Sequence, residues 1–509
     1  MSDRFLWAVA LCTAGTWLGF ANPVWHLPGL ILTLPVILGW TALQVQTPKQ
    51  AFVRGWVAAS TAYAASLYWV SIPIHDFGSL PWIAAIPCPI LLGLYIGLYA
   101  GLYCLILSWA SSRLHWSMLC LLACFLWTSL EYLREVLFTG FPWLGLAQAF
   151  APWPLILQGA SWVGAHGISG LLAGFGLCCI LGFQRARVWL AAAAAAGLVL
   201  SFGLWHLHQA EPKEVIELPT ALIQGNIEQT MKWDPAFQQA TLDRYLQMSR
   251  QTMREHGTRC VIWPETALPF FLQEEAELRS RVQTFCRNEQ ALVLTGAPGY
   301  SLAADGTRVI YHNQAYLLGP AGTVLGKYSK EHLVPFGEYI PFGRYLPFLQ
   351  TLVQGAGGFE PGKHTDPLTY NNLAIGCLIC YETIFSNLVQ QRVAQGANIL
   401  VNLSNDAWFG RSSGARQHLH QAVLRTIEQG RYMLRATNTG ISAVIDNNGR
   451  IQNHSTWFTP AVIALEKLNT LNRQTFFSRY YVFVRSGFFF LTFCCILLAR
   501  FYRPGNRQL

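Results

Sequence analysis

The sequence predicts a multi-span bundle of eight membrane helices joined to an α/β domain. Apolar residues make up 52% of the 509 residues and charged residues only 12%, which is too apolar for an ordinary soluble protein. Long apolar runs fall in 1–207 and 486–502, whereas 211–470 has the polarity of a soluble domain, with alternating β-rich and helical segments. The predicted units are a seven-helix bundle over 1–210, an α/β domain over 211–475, and a final membrane helix with a tail over 476–509.

Eight apolar stretches approach the length needed to cross the hydrocarbon of a bilayer, which takes about 20 helical residues. The predicted spans are 5–21, 27–44, 54–73, 82–109, 116–136, 155–182, 188–207 and 484–502. We expect the first span to be retained, because no small-residue cleavage site followed by a soluble region appears after it. An even number of crossings places both termini on the same side of the membrane.

Positive charge in the short loops predicts which side that is, because Lys and Arg are enriched in cytoplasmic loops. The basic residues are Arg4, Lys49, Arg54, Arg113, Arg185, Arg187, Arg500, Arg503 and Arg507. The opposite loops, ANPVWHLP and IPIHDFGSLP, contain neither Lys nor Arg. Both termini are therefore predicted to be cytoplasmic and 211–470 to lie outside the cytoplasm. The net charge of +9 reflects this orientation and does not indicate nucleic-acid binding.

Most of the thirteen cysteines fall in the predicted spans, where they act as small apolar residues. Four lie in the α/β domain: Cys260, Cys286, Cys377 and Cys380. Cys377 and Cys380 are three apart on a predicted strand, so alternation places them on opposite faces and disfavours a bond between them. The chain has no paired CxxC motifs and no His cluster with zinc spacing, so we expect no metal and no cofactor.

The α/β domain is predicted from strands that alternate with helices. The strands are TALIQGNI, CVIWPE, ALVLTGAP, NQAYLLGPAGTVLGKYS, LAIGCLICYE, NILVNLSND and TGISAVIDNNGRIQ, and the helices cover 236–256, 273–289, 383–395 and 416–435. The GPAG and DNNG turns predict hairpins, so the sheets are expected to be mixed. Reactive side chains in such folds stand where strands end. Glu265, Lys330 and Cys380 all meet that expectation.

Cys380 is the candidate nucleophile. A strand ends there and a helix is predicted to begin within a few residues, so backbone N–H groups and the helix dipole are expected to favour the thiolate. The alternative is a thiol that only packs in the core, which is the role we assign to neighbouring Cys377.

Glu265 and Lys330 supply the other groups that thiol acyl chemistry needs. Glu265 follows Pro264 in apolar surroundings that suit proton transfer, although a carboxylate that caps a turn is the alternative. An ammonium at Lys330 beside the thiol would stabilise an oxyanion, whereas the alternative is an exposed surface lysine. Glu338 and Glu382 are candidates to orient Lys330 or to act as a second carboxylate, or else form structural ion pairs.

The motifs WPE, K-x-H-L and C-Y-E, in this order, resemble those of the Glu-Lys-Cys nitrilase superfamily. The added membrane bundle, PFGEYIP and SNDAWFG resemble its membrane-bound branch, the apolipoprotein N-acyltransferases, over nearly the whole chain. The resemblance implies a nitrilase-like αββα sandwich in which Glu265 is the general base, Lys330 the oxyanion-stabilising cation and Cys380 the nucleophile. It also implies that Glu338, Tyr381 and Glu382 support activity and that Trp233 of MKWDP stands at the substrate entrance.

The same resemblance implies a function. An acyl chain passes from a phospholipid, through a Cys380 thioester, to the α-amine of diacylglyceryl-cysteine in an apolipoprotein, the last step of bacterial lipoprotein maturation. The implied location is the bacterial inner membrane with the catalytic domain on the periplasmic side. We expect a monomer whose partners are the phospholipid, the apolipoprotein and the bilayer.

Two aromatic loops are predicted to meet the lipid, because moving each methylene of an acyl chain into water costs about 0.8 kcal/mol. Segment 335–358 reads as a mobile lid with contacts from Phe336, Tyr339 and Phe342; its alternative is a buried irregular loop. Segment 404–414 is a second candidate, with contacts from Trp408 and Phe409.

The extracytoplasmic segment 139–149 is expected to line the acyl-chain route. Just before it, Glu131, Arg134 and Glu135 are expected to lie at the membrane interface and to pair with one another.

Two other functions remain open from the residues alone. One is a membrane-tethered amidase that hydrolyses small soluble amides with the same three groups. The other is a transporter or scaffold whose external domain binds a ligand. The apolar loops and the eight predicted spans disfavour the first, and the scarcity of paired intramembrane charges disfavours the second.

Overall fold

The computed structural model describes residues 3–78, 80–183, 185–209, 213–229, 235–303, 306, 308–340, 358–363 and 366–501. The α-helices are α1 (Asp3–Gly19), α2 (Thr33–Gln44), α3 (Pro48–Ser66), α4 (Ser71–Asp76), α5 (Trp82–Ala85), α6 (Pro87–Ser111), α7 (Trp116–Val136), α8 (Pro154–Leu157), α9 (Ala160–Gly182), α10 (Ala186–His208), α11 (Pro235–His256), α12 (Ala276–Glu289), α13 (Ser386–Ala394), α14 (Gly414–Gln429), α15 (Phe476–Arg479) and α16 (Tyr481–Phe501).

The strands are β1 (Glu214–Ile216), β2 (Thr220–Gln224), β3 (Cys260–Ile262), β4 (Leu292–Leu302), β5 (Val309–Leu318), β6 (Val324–Ser329), β7 (Leu368–Tyr370), β8 (Leu373–Ile379), β9 (Ile399–Ser404), β10 (Met433–Thr437), β11 (Ala443–Ile445), β12 (Ile451–His454), β13 (Ala461–Leu465) and β14 (Leu468–Thr470).

Five helical stretches in the described residues are long and apolar enough to cross a membrane. They are Trp82–Ser111, Trp116–Thr139, Ala160–Gly182, Ala186–His208 and Tyr481–Phe501. A sixth candidate joins Pro48–Ser66 to Tyr68–Asp76 across a bend of 57°.

The eight predicted spans are therefore not confirmed. Helix α1 has only 17 residues, and the predicted span 27–44 is a short 3₁₀ helix followed by the 12 residues of α2. Pro28 stands at the start of this stretch, and the two pieces together form one apolar helix, Pro28–Gln44, which is shorter than the roughly 20 residues that a membrane crossing takes. The third predicted span breaks at Leu67, whose φ of −104° and ψ of 12° leave the helical region.

Small residues hold the longest membrane helices together. A Cβ atom built on Gly97 of α6 would lie 2.2 Å from Ser60 Oγ of α3, and one built on Gly55 of α3 would lie 2.5 Å from Cys104 Sγ of α6. The two backbones therefore approach more closely than side chains at these positions would allow, as is common between helices in membranes.

The α/β domain contains two mixed six-stranded sheets, as the hairpin turns predict. The first has the order β13-β2-β3-β4-β5-β6, with β2, β3 and β4 parallel. The second has the order β12-β11-β10-β9-β8-β7, with β8, β9 and β10 parallel. The remaining neighbours in both sheets are antiparallel.

The layers follow from which side chains share a core. Leu222 and Ile262 of the first sheet pack with Ile379 and Val401 of the second, so the two sheets lie face to face. The outer face of the first sheet packs on α11 and α12. The outer face of the second packs on α13 and α14, and this core continues without a break into the membrane helices. The expected αββα sandwich is present, and the membrane bundle adjoins its α13–α14 layer.

Gln417 of α14 joins the bundle to the sandwich. Its Oε1 accepts hydrogen bonds from the indole N–H groups of Trp69 (2.9 Å) and Trp143 (2.8 Å), and its Nε2 donates to the backbone carbonyls of Ala21 (3.1 Å) and Ser66 (3.2 Å). The side chain is 1% exposed. One amide thus ties three parts of the bundle to the catalytic domain.

The prediction of a helix over 416–435 is wrong at its end. Helix α14 ends at Gln429 because Gly430 takes a left-handed conformation with φ of 61°, which closes the helix. The residues Met433–Thr437 then form β10, a fully buried strand. The predicted helix over 383–395 is likewise divided into a 3₁₀ helix, Cys380–Ile384, and α13.

Candidate active site

Strand ends bring three of the predicted residues together. Glu265 follows β3 by three residues, and Lys330 and Cys380 come directly after β6 and β8. Their side chains are buried, with 6%, 1% and 7% of each residue exposed. Because β3 and β6 belong to one sheet and β8 to the other, the site forms between the two sheets.

Lys330 lies between two carboxylates. Its Nζ is 2.9 Å from both oxygens of Glu338 and 3.7 Å from Oε1 of Glu265. Asn313 Nδ2 donates to Oε1 of Glu265 (2.8 Å) and to Oε1 of Glu338 (2.9 Å), which fixes the two carboxylates relative to each other. Burial alone would lower the pKa of Lys330, but the charges of Glu338 and Glu265 outweigh burial and raise it. Lys330 is therefore an ammonium at neutral pH.

The Cys380 thiol is neutral at rest. Burial raises its pKa to about 12, the charge of Glu265 acts in the same direction, and Lys330 opposes them only in part. Backbone N–H groups and a helix dipole were expected to favour the thiolate, and burial acts against this because it removes the thiolate from water. A base must remove the proton during the reaction, and Glu265 is the carboxylate whose charge acts on the sulfur most strongly.

Cys380 also has an unusual backbone. Its φ is +51°, in the left-handed region that residues with a Cβ atom rarely occupy. The strand ends at Ile379, so the alternation argument used to separate Cys377 from Cys380 does not apply, and both side chains border the core between the sheets. All thirteen cysteines lie in the described residues and carry free thiols.

Glu382 does not contact Lys330 directly. Its Oε1 accepts from the Tyr328 hydroxyl (2.6 Å) and from the N–H groups of Glu331 (2.6 Å) and His332 (3.2 Å). Its Oε2 accepts from the N–H of Ile379 (2.7 Å). This fully buried carboxylate joins the segment after Lys330 to the residue before Cys380, and so sets the spacing of the two sheets at the site.

Tyr381 faces the membrane bundle. Its hydroxyl donates to the carbonyl of Gly140 (3.3 Å), and its ring lies 6.5 Å from that of Trp143, centroid to centroid. The segment 139–149, which the sequence predicts to line the acyl-chain route, therefore lies against the residue next to the candidate nucleophile.

The predicted lipid-contact residues have different environments. Phe336 is 53% exposed and Tyr339 is half-buried. Trp408 packs against Phe77, which follows α4, with ring centroids 4.6 Å apart. Phe409 packs edge-on against Trp69 at 4.9 Å. The 404–414 loop is thus packed against the membrane bundle through Trp408 and Phe409. Trp233, Phe342 and positions 341–357 of the predicted lid lie outside the described residues.

Glu131 and Glu135 of the bundle were expected to pair with Arg134 at the membrane interface, and both contact His166. His166 Nδ1 lies 2.9 Å from Oε2 of Glu131, and its Nε2 lies 2.9 Å from Oε2 of Glu135. Glu135 Oε1 also accepts from the N–H of Asn387 in the first turn of α13 (3.4 Å). The two acids and Arg134 are buried inside the protein, because His166 on the neighbouring helix and the catalytic domain cover them.

Several polar residues at the site were not predicted from the sequence. The most informative are Asn313, between the two carboxylates, and a buried cluster of Asn402, Asp406, His418 and Arg435. The sequence contains features that could have identified two of these residues, Arg435 and Asp406. Arg435 interrupts an apolar strand, and Asp406 follows β9 by two residues, which is the strand-end position that identified Cys380.

The fold and the buried Glu-Lys-Cys arrangement define the class of protein, a carbon-nitrogen hydrolase domain attached to a membrane bundle. The carbon-nitrogen hydrolase family profile matches residues 220–470, and the profile of the apolipoprotein N-acyltransferase N-terminal domain matches 13–178. Proteins named apolipoprotein N-acyltransferase are similar over most of this chain. The relative in Geobacter metallireducens is 37% identical over 85% of this chain and 84% of its own. The relative in Nitrosomonas europaea is 34% identical over 90% of this chain and 90% of its own. The relative in Pseudomonas aeruginosa is 31% identical over 94% of this chain and 93% of its own.

The chain belongs to the apolipoprotein N-acyltransferases. It is a membrane-bound acyltransferase, and the recognition made from WPE, K-x-H-L and C-Y-E is confirmed.

Proposed function

We propose that this protein transfers a fatty acyl chain from a phospholipid, through a thioester on Cys380, to the α-amine of diacylglyceryl-cysteine at an apolipoprotein N-terminus, the last step of bacterial lipoprotein maturation. The observation that carries the proposal is the buried contact of Glu265 with Lys330 (3.7 Å), both of which act electrostatically on the Cys380 thiol. The contact of Tyr381 with Gly140 places this thiol beside the membrane bundle.

The first half-reaction loads the thiol. Glu265 accepts the proton of Cys380 as sulfur attacks the ester carbonyl carbon of the phospholipid. Lys330 and the N–H of Tyr381 stabilise the oxyanion. The carbon–oxygen ester bond then breaks, Glu265 returns the proton to the leaving oxygen, and lysophospholipid departs.

The second half-reaction transfers the chain. The neutral α-amine of the acceptor attacks the thioester carbonyl, Glu265 accepts a proton from the nitrogen, and an amide bond forms. The carbon–sulfur bond breaks and the proton returns to sulfur, which restores the thiol. Apolar walls around the site would keep water from the thioester. Phe336, Tyr339, Phe342, Trp408 and Phe409 are the proposed contacts for the acyl chains, and Trp233 is the proposed residue at the entrance.

Glu338 and Glu382 are proposed as supporting residues. Glu338 compensates the charge of Lys330 at 2.9 Å, and Glu382 holds the backbone on either side of the site. The proposed active unit is a monomer.

We also propose the topology that the loops predict. The units are 1–210, 211–475 and 476–509, with eight crossings, cytoplasmic termini and the catalytic domain on the periplasmic face of the inner membrane. Helix α1 and the 28–44 stretch would supply the two crossings beyond the six candidates, and the lysine and arginine distribution supports the orientation.

Thioester trapping tests the function. The purified protein in detergent is mixed with phospholipid and its intact mass is measured beside those of Cys380→Ala and Cys377→Ser. Cys377 is the matched control because it is three residues away and packed in the core between the sheets. We expect one fatty-acyl mass on wild type and on Cys377→Ser, and none on Cys380→Ala. An adduct that persists without Cys380 would contradict the assignment. Lysophospholipid and free fatty acid released by wild type with no accumulating adduct would favour a hydrolase.

A further inference from the structure

The strained backbone of Cys380 is held by two side chains from the second sheet and α14. His418 Nε2 lies 3.1 Å from the carbonyl oxygen of Cys380, and Asn402 Nδ2 donates to the same oxygen at 3.3 Å. Both side chains are fully buried. A residue with φ of +51° keeps that conformation only when its surroundings fix it, and these two contacts act directly on its carbonyl.

The proton of His418 can be assigned from its neighbours. Arg435 Nη2 lies 3.0 Å from His418 Nδ1 and donates to Oδ2 of Asp406 at 2.8 Å and to Oδ1 at 3.0 Å. His418 Nδ1 also lies 3.1 Å from Oδ1 of Asp406, which only accepts, so the two contacts at Nδ1 alone do not locate the proton. The carbonyl oxygen of Cys380 only accepts as well, so Nε2 carries a proton. Burial and the charge of Arg435 lower the pKa of His418, and they outweigh the hydrogen bond and charge of Asp406, which raise it. The ring therefore carries one proton, the one on Nε2, and Nδ1 accepts from Arg435. His418 therefore donates to the Cys380 carbonyl.

This hydrogen bond has a consequence across the peptide bond. The peptide between Cys380 and Tyr381 is planar and trans, so its N–H points opposite to its C=O. Fixing the carbonyl oxygen of Cys380 therefore fixes the direction of the Tyr381 N–H. That N–H lies in the first turn of the 3₁₀ helix Cys380–Ile384, where backbone N–H groups have no acceptor within the helix.

We propose that His418 is a positioning residue for acyl transfer, which orients the Tyr381 N–H towards the developing oxyanion by holding the Cys380 carbonyl. Asn402 shares this role, and Arg435, which Asp406 holds in place, donates to Nδ1 and keeps His418 in the required tautomer. The proposal rests on the proposed function, because the oxyanion belongs to the acyl-transfer reaction.

Three substitutions of His418 distinguish the contribution of the Nε2 contact from that of the Nδ1 contacts. In His418→Gln the side-chain amide reaches the position of Nε2 and still donates to the Cys380 carbonyl. In His418→Asn the amide reaches only the position of Nδ1, so the cluster with Asp406 and Arg435 keeps a polar partner but the carbonyl loses its donor. His418→Leu removes both contacts.

The measured quantities are the rate of acyl-enzyme formation at saturating phospholipid and the phospholipid KM. We expect His418→Asn and His418→Leu to lower the rate by about 10- to 100-fold, somewhat less than loss of an oxyanion donor itself, with KM within about twofold of wild type. His418→Gln should restore the rate to within about fivefold of wild type, since it keeps the donor. Equal losses in Gln and Asn, or no loss in Asn, would overturn the proposal.

Two reagents that react with the Cys380 thiol distinguish a loss of oxyanion stabilisation from a general loss of folded structure. A long-chain aldehyde adds the Cys380 sulfur to its carbonyl carbon, and the thiol proton passes to the oxygen, which occupies the oxyanion position. Iodoacetamide alkylates the same sulfur, releases iodide and a proton, and creates no oxyanion. We expect His418→Asn to weaken aldehyde binding about 10-fold or more and to leave alkylation within about twofold of wild type. Equal weakening of both reactions would mean that His418 only maintains the fold, and would overturn the proposal.

The outcome also distinguishes this inference from the proposed function. If wild type forms no acyl-enzyme with phospholipid, the proposed function fails. If wild type forms it and His418→Asn forms it at the same rate, only the role of His418 fails.

Discussion

Lys330 lies near two carboxylates, Glu265 and Glu338, and these charges help to keep Cys380 a neutral thiol before the reaction begins. Both carboxylates face Lys330, and the charge of Glu265 adds to burial in disfavouring a thiolate at Cys380. When Glu265 accepts the thiol proton, it becomes neutral as the oxyanion develops. The total charge therefore stays constant through the attack, and Lys330 is free to stabilise the oxyanion in a site shielded from water.

Replacing Glu338 tests this balance. Glu338→Gln removes a carboxylate at 2.9 Å from Lys330 and leaves Glu265, at 3.7 Å, as the carboxylate that the ammonium pairs with, so Lys330 competes with the thiol proton for Glu265. We expect acyl-enzyme formation to slow by about 10- to 100-fold. Glu360→Gln is the matched control, because Glu360 pairs with Arg308 at the exposed surface, where an ion pair contributes about 1 kcal/mol or less. If Glu338→Gln forms the acyl-enzyme as fast as Glu360→Gln does, the proposed role of Glu338 in compensating the charge of Lys330 is contradicted.

The pH dependence of Cys380 alkylation gives a second test. Below its pKa a thiol gains thiolate as pH rises, and an ordinary thiol levels off above about pH 8.5. Because burial raises the pKa of Cys380 to about 12, we expect the alkylation rate of the wild-type protein to keep rising up to about pH 10. The measurement is iodoacetamide labelling of Cys380 followed by peptide mass spectrometry. A plateau between about pH 7 and 9 would show a resting thiolate and contradict this account.

At the scale of elements, the sequence predicts the ends of α11, α12 and α13 to within one residue, at His256, Glu289 and Ala394. The strands before Glu265 and Cys380 end three residues earlier than the predicted segments CVIWPE and LAIGCLICYE, because each reactive residue stands after its strand and not within it. The end of α14 was mispredicted, since the apolar residues Met433 and Leu434 fit a helix or a strand equally well. The support of Cys380 by His418 was not predictable, because it depends on how α14 packs against β9 and β10.

Helix α14 also joins the catalytic domain to the bundle, and Gln417 tests that connection. Gln417→Leu leaves the indole N–H groups of Trp69 and Trp143 without this acceptor, at a cost of about 1–3 kcal/mol for each buried group left unpaired. We expect a lower thermal unfolding midpoint, measured in detergent. Gln251→Leu is the control, because Gln251 is exposed on α11 and bonds only locally, to Glu255. Equal midpoints for both variants would contradict the connecting role.

At the scale of the whole molecule, the sandwich presents its α13–α14 layer to the membrane bundle, and Tyr381, next to the candidate nucleophile, contacts Gly140 of the bundle. The proposed function requires an acyl chain to reach Cys380 from the bilayer, because its transfer through water would cost about 0.8 kcal/mol per methylene. The sequence predicted the two-part organisation from apolar content alone. It overestimated the first three spans, because the first two helices are short and a bend of 57° divides the third.

The central claim is that the acyl chain rests on Cys380 between donor and acceptor. The most direct measurement is to isolate the acyl-enzyme, add a synthetic peptide with an N-terminal diacylglyceryl-cysteine, and follow both masses. The account predicts that the fatty-acyl mass leaves the protein and appears on the peptide as an amide. Its release as free fatty acid, or its retention on the protein in the presence of the peptide, would contradict the account.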